Sequence, residues 1–293
     1  MRRRLIVRYF DMHCDTLSRC ADAGEKVEEN PFDLDVQRLT CFSTCVQVFA
    51  AFIHDDYKAQ AAKERFDQLE RLYRQTDFSG ITPVLSIENL SCLNGDVDAV
   101  YRMKEKGVQI ASLVWNGDNG IAGGVDGNSG ITPFGKEVVH ALEETGIVID
   151  VSHLNEKSFY DLEKVATKPF VATHSNVKSI CGHKRNLTDD QIRVIFEHGG
   201  VVGLNFYSLF LGKRRREYDD VLRHIEHFLQ LCGEDHIGLG TDFDGADFDE
   251  RFSGVQKMPL FYEYLTKKLS RTLADKIFFE NCNDFFKIIL TNN

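Results

Sequence analysis

Proline is scarce in this 293-residue chain, with five in all, and no Pro-, Gly- or Ser-rich stretch interrupts the sequence. Linkers and disordered tails need such stretches, so a single domain over residues 1–293 is expected. Long apolar runs are also missing. No segment reaches the ~20 apolar residues of a membrane-spanning helix. Met1-Arg2-Arg3-Arg4 is followed by only three apolar residues before Arg8, short of the ~7–15 of a secretory leader. The polar Asn292-Asn293 end carries no hydrophobic anchor tail. A cytoplasmic protein without a membrane partner is the expectation. Positive charge is in deficit too: 35 Lys and Arg against 45 Asp and Glu leave a net charge of -10. Phosphate binding needs clustered cations, so nucleic acid is not an expected partner. The one dense basic run, Lys213-Arg214-Arg215-Arg216, reads as a solvated loop. The eight cysteines lack C-x-x-C spacing, which argues for reduced core thiols rather than a disulfide framework.

What the chain does contain is an alternation. Apolar runs at residues 5–12, 44–52, 82–87, 110–115, 147–151, 170–173, 201–206 and 236–241 read as eight strands. Amphipathic or charged stretches of helical length lie between them, at 57–75, 95–106, 135–145, 156–165, 189–198 and 218–232. The runs are nearly continuous rather than alternating in polarity, as for parallel strands covered by helices. Eight such repeats predict an α/β fold of (β/α)8 TIM-type barrel architecture, typically ~250 residues long. A doubly wound open sheet would carry a Gly-rich phosphate turn after its first strand, and no G-x-G-x-x-G stands there. Residues 260–269 and 272–289 read as C-terminal closing helices.

Most strands end in a residue that binds metals or moves protons: His13 and Asp15, Glu88, His153, His174 and Asp242. In a barrel such residues converge on one mouth. His13 and Asp15 are ~6.6 Å apart on an extended chain and face the same side, while Cys14 points away. His153 and His174 end consecutive strands, close enough to grip a second cation. Glu88 can bridge two divalent ions. Three imidazoles with Asp15 and Glu88 suit zinc, and tolerate manganese or cobalt. Two dications among Asp15, Glu88 and Asp242 would depress the pKa of bound water from ~15.7 toward ~7. In chemical outline the mouth is that of an amide-bond hydrolase. Other histidines read differently. His140, His198, His224 and His227 fall on predicted helices, His236 at the far end of its strand, and His54 on a loop. His183 lies near Arg185 on a loop that can line the pocket. Asp244 reads as orienting the site and Gly245 as permitting a tight turn. Asp150 has no role that the sequence defines.

The motifs Asp11-Met12-His13-Cys14-Asp15, Ser86-Ile87-Glu88-Asn89, Asp150-Val151-Ser152-His153 and Thr173-His174-Ser175-Asn176 occur in order. Arg185-Asn186, Asn205-Phe206-Tyr207 and Asp242-Phe243-Asp244-Gly245 follow. Together they resemble the membrane dipeptidase (renal dipeptidase-like) family of zinc metallopeptidases. The resemblance implies a zinc-dependent dipeptidase in which a metal-bridging hydroxide attacks the peptide bond. It implies two zinc ions per chain, one on His13 and Asp15, the other on His153 and His174, with Glu88 between. By the same likeness Arg185 binds the substrate carboxylate, for which a guanidinium fork is apt. Asp242 handles the proton, and Tyr207 touches substrate. The chain departs from animal members at Trp115, where they place a histidine; indole donates one hydrogen bond but carries no charge. Trp-containing versions look like the bacterial branch. The family likeness also implies a homodimer. Two alternatives stay open: another binuclear amidohydrolase-type barrel acting on a lactone, phosphoester or cyclic amide, and a metal-binding barrel without turnover.

Overall fold

The computed structural model describes residues 6–212, 218–248 and 250–291; the basic run Lys213-Arg214-Arg215-Arg216 lies outside them. Among the described residues there are seven strands: β1 (Arg8–Asp11), β2 (Thr44–Phe52), β3 (Thr82–Glu88), β4 (Val108–Ser112), β5 (Val148–Asp150), β6 (Val202–Leu204) and β7 (Ile237–Leu239). They form one sheet in the order β5-β4-β3-β2-β1-β7-β6, and its strand pairs are parallel. The expected sixth strand, at 170–173, makes only isolated parallel bridges, Asp150↔Val171 on one side and Ala172↔Val202 on the other. Pro169 just before it has no N–H to donate. The result is a curled seven-stranded sheet with a bridging segment between β5 and β6.

Apolar side chains from seven of the eight runs, including Phe10, Val48, Val84, Ile110 and Val171, join a buried cluster with Phe279, Cys282, Phe285 and Phe286. The C-terminal segment therefore packs on the strand residues that lie away from the chemistry. Phe10 stacks on Phe286 at 5.4 Å between ring centroids. Asn281 anchors this segment by donating to the carbonyls of Glu234 and Ile237, each at 2.9 Å. The expected closing helix at 272–289 is broken in kind: Arg271–Asp275 is α-helical, Lys276–Glu280 is a π turn, and Asn281–Thr291 resumes the α form. A larger apolar cluster, with Tyr9, Phe49, Leu85, Phe159 and Phe278 among its members, fills the space between sheet and helices. Burying each such side chain stabilises the fold by ~1.5–3 kcal/mol.

Helix starts follow local chemistry. Thr188 and Gln191 form a reciprocal capping box ahead of Asp189–Glu197. Thr132 caps Pro133–Thr145, with Pro133 at the first turn, where its missing N–H costs nothing. Asn155 caps Glu156–Glu163. Gly146 ends its helix at φ 69°, a conformation open to residues without a Cβ. The short helix Thr16–Ala23 after β1 was not expected from the sequence. It is brief and carries no acidic first turn to announce it.

Candidate metal centre

The site is assembled where the chain leaves the sheet. β1 stops at Asp11, two residues before His13, and the chain bends at Met12. Cys14 then bridges Phe243, with its thiol buried against the Val48 carbonyl at 3.3 Å and away from the cluster. Glu88 is the last residue of β3. His153 and Asp242 lie beyond β5 and β7 at φ 72° and 67°. Left-handed backbone at non-glycine residues costs on the order of 1–3 kcal/mol and persists only where surrounding bonds impose it. Here they do. Val125 donates to the His153 carbonyl at 2.9 Å, and Asp242 N–H donates to the His13 carbonyl at 3.2 Å.

Six of the residues expected at the mouth meet. Three groups could each hold an ion, with ligand atoms within 4.8 Å of one another: His13, Asp15 and Glu88; Glu88, His153 and His174; and His13, His174 and Asp242. Glu88 is common to the first two. Its Oε2 lies 3.6 Å from His13 Nε2, and its Oε1 lies 2.7 Å from His153 Nε2 and 3.8 Å from His174 Nε2. His13 Nε2 also sits 3.5 Å from Asp15 Oδ2 and 3.9 Å from Asp242 Oδ1. Every one of these side chains is buried.

Hydrogen bonds outside the cluster decide which imidazole nitrogen faces inward. Thr173 Oγ1 gives its proton to the Asp150 carboxylate at 2.5 Å. That oxygen can therefore only accept from His174 Nδ1, at 2.8 Å. Asn116 Oδ1 likewise takes the Nδ1 proton of His153 at 2.9 Å. Both Nε2 lone pairs then point into the site, where the two atoms stand 3.0 Å apart. Burial holds both imidazoles neutral, far below the usual histidine range, and the charges of Arg185 and His13 act the same way.

Facing lone pairs beside a carboxylate require positive charge between them, as protons or as cations. His13 Nε2 and Asp15 Oδ1 are buried without a hydrogen-bond partner, which burial makes costly unless something coordinates them. Burial alone would lower the pKa of His13, but the carboxylates of Asp15, Glu88 and Asp242 outweigh it and push the group up to about 10. Burial, then the charge of Asp15, raises Glu88 well above the carboxylate range. Asp242 is lifted to about 6, chiefly by burial. Neutral nitrogens with buried carboxylate oxygens form a donor set that fits borderline divalent ions.

The cluster opens into a cavity of about 850 Å³, lined by Trp115, His183, Arg185, Tyr207 and Phe210 among others. Arg185 is 6% exposed. Its Nη2 donates to the His174 carbonyl at 3.3 Å and its guanidinium lies over the Phe210 ring at 5.6 Å. Trp115 packs on His54 at 4.7 Å and on Phe52 at 5.1 Å. Asp244 lines the same cavity and accepts from Thr16 Oγ1 and Asp33 N. Gly245 is required by close approach: a Cβ there would lie 2.1 Å from Asp15 Oδ2 and 2.7 Å from Asp242 Oδ1. His224 and His236 sit away from the mouth, each bonded to a backbone carbonyl.

The sequence reading gives no role to Asp11, Asn116, Asp150, Thr173 or Asn205. Asn205 Nδ2 donates to Asp242 Oδ2 at 2.9 Å. Asp11 and Asp150 carry one signal, as buried carboxylates that close short strands.

Comparison with known proteins agrees with this geometry. The sequence profile of the membrane dipeptidase family, peptidase family M19, matches residues 71–290. An uncharacterised protein from the pqqA 5′ region of Klebsiella pneumoniae is 35% identical over 212 residues, which are 68% of this chain and 78% of that protein. An uncharacterised dipeptidase of Schizosaccharomyces pombe is 34% identical over 205 residues, 67% of this chain but 50% of the yeast protein, so the match spans about half of that relative. A metallopeptidase of Rhodobacter sphaeroides, solved with a phosphinate mimic of the dipeptide L-Ala-D-Ala, superimposes with a TM-score of 0.85 at 26% identity. That match covers 94% of this chain and 97% of the other. With its profile match and its buried cluster of histidines and carboxylates, the chain belongs to the membrane dipeptidase family, M19, of metallopeptidases.

Proposed function

We propose that this protein is a two-zinc dipeptidase, built on a (β/α)8 barrel in which the 170–173 segment stands as the sixth stave. His13 and Asp15 would hold one zinc, His153 and His174 the other, with Glu88 bridging. The observation that carries this reading is the pair of neutral imidazoles whose Nε2 atoms face each other at 3.0 Å beside the Glu88 carboxylate. Divalent ions held there would supply Lewis acidity toward a carbonyl and lower the pKa of water toward ~7.

The remaining work falls to the chain's own groups. Arg185 has five N–H donors and gives one to His174, so its free edge can fork onto the substrate's terminal carboxylate. Asp242 keeps Oδ1 toward the cluster while Asn205 holds Oδ2. A carboxylate held this way can take a proton from the attacking water and pass it to the leaving amine. Trp115 and Tyr207 would form walls against which the substrate is oriented. The dipeptide mimic bound by the Rhodobacter sphaeroides protein supports short peptides as the substrate class, with a D-residue at the C-terminal position to be included in any panel.

The test is metal analysis with a dipeptide library, run with and without chelator. Two zinc ions per chain and chelator-sensitive dipeptide hydrolysis are expected. Bound metal with turnover of a lactone, phosphoester or cyclic amide alone would move the protein to another binuclear hydrolase class. Bound metal with no turnover of any substrate would leave a binding protein.

A further inference from the structure

Two buried aspartates outside the cluster repeat a single hydrogen-bond pattern. Asp11 Oδ1 accepts from Thr241 N at 2.9 Å and His13 N at 3.3 Å, while its Oδ2 accepts from Thr241 Oγ1 at 2.6 Å and Tyr9 OH at 3.0 Å. Asp150 Oδ1 accepts from Thr173 N and Ser152 N, both at 2.9 Å, while its Oδ2 accepts from Thr173 Oγ1 at 2.5 Å and Ser112 Oγ at 2.8 Å. Each carboxylate thus takes a backbone N–H two residues ahead, both donors of one threonine on the next stave, and a further hydroxyl. Both clamps stand where strand pairing is thinnest. The β1–β7 ladder has a single register pair, Asp11↔Leu239, and the β5 side of the 170–173 segment has the isolated bridge Asp150↔Val171.

The residue after each threonine belongs to the cluster: Asp242 follows Thr241, and His174 follows Thr173. The two clamps differ in what the threonine oxygen then accepts. Thr241 Oγ1 takes Phe243 N–H at 3.4 Å, whereas Thr173 Oγ1 takes the Nδ1 proton of His174 at 2.8 Å. A carboxylate with four donors cannot swing, so the threonine is pinned, and with it the height and rotation of the side chain that follows.

We propose that Asp150 and Thr173 are positioning residues that fix His174 as its Nδ1–H tautomer with Nε2 toward the metal, and that Asp11 and Thr241 are the matching clamp that sets the height of Asp242. The proposal rests on the two-metal reading only for its consequence; the hydrogen-bond pattern stands apart from it. Removing the Thr173 hydroxyl leaves a buried N–H without an acceptor and frees the ring to rotate. Loss of such an outer partner weakens metal binding by ~10–100-fold.

The experiment is zinc competition against a chromophoric chelator on the full chain, for wild type, Thr173→Val, Thr173→Ser, Asp150→Asn and Thr241→Val. Thr173→Val and Asp150→Asn should bind one of the two zinc ions ~10–100-fold more weakly, and Thr173→Ser should recover wild-type affinity. Thr241→Val, which disturbs the clamp that holds no imidazole, should keep zinc affinity and lose kcat. Equal zinc affinity in wild type, Thr173→Val and Asp150→Asn would overturn the proposal. Should the variants fail to fold, ¹⁵N-histidine NMR of the metal-free wild type decides. His174 must carry its proton on Nδ1, and an Nε2–H signal for His174 overturns the assignment. A wild type that binds no zinc yet shows the Nδ1–H tautomer would refute the two-zinc reading and leave the clamp intact.

Discussion

Arg185→Met isolates the substrate-anchoring step. The methionine keeps an unbranched stem against Phe210 and removes the charge and all five N–H groups. In the wild type the guanidinium is buried, and among the described residues its side-chain hydrogen bond goes to the His174 carbonyl. A substrate carboxylate would meet it in a water-poor cavity, where removing one partner of a charged pair costs ~2–5 kcal/mol. At ~1.4 kcal/mol per factor of ten, kcat/KM for a free dipeptide should fall roughly 30- to 4,000-fold. The same dipeptide with a C-terminal amide offers no carboxylate and should lose little. The assay is therefore the ratio of kcat/KM for the acid to that for the amide, in wild type, Arg185→Met and Arg185→Lys. The ratio should collapse in the methionine variant and stay partly above it in the lysine variant, which keeps charge without the fork. Thermal melts control for the lost bond to His174. If acid and amide fall together by the same factor, Arg185 does not read the carboxylate, and the reasoning fails.

Three further outcomes are expected. Glu88→Gln removes the carboxylate shared by two of the candidate metal groups; elemental analysis should show metal falling toward one ion or none, with hydrolysis abolished, and full turnover would remove Glu88 from the bridging role. Gly245→Ala places a methyl group against Asp15 and Asp242, so kcat/KM should drop by on the order of 10²-fold, as for a misplaced reacting group; unchanged kinetics would mean the turn yields freely. Metal-free protein should lose stability on the alkaline side. His13 has a folded pKa of about 10 against ~6.5 when unfolded. Its contribution is therefore complete below ~6.5 and lost as pH rises through about 10. Melting midpoints that stay level from neutral pH to that value would contradict this, and zinc uptake at neutral pH should release protons.

Much of the site was legible because its residues announce themselves locally. A histidine or carboxylate at the end of an apolar run is visible in a one-dimensional pattern, and in a curled parallel sheet all such ends share one rim. His13, Asp15, Glu88, His153, His174 and Asp242 all carry this local signature, and the structure brings these side chains together. The Cys14 thiol turned away from the site, as the pleat predicts. Element bounds were less legible. β4 ends at Ser112 rather than 115, and the 170–173 run makes bridges instead of a ladder. Apolar content does not say how many pairing bonds a neighbour will supply.

By itself, then, the sequence determined which side chains meet in the buried cluster and that an α/β parallel sheet presents them, since residue type and apolar periodicity are properties of short segments. Only the tertiary structure decided how those side chains are held: the tautomers of His153 and His174, the strained backbone at Asp242, and the twin clamps of Asp11 and Asp150. Each depends on a hydrogen-bond partner brought from a distant part of the chain, 230 residues away for Asp11 and Thr241, and no local pattern encodes which distant donor a buried carboxylate will meet.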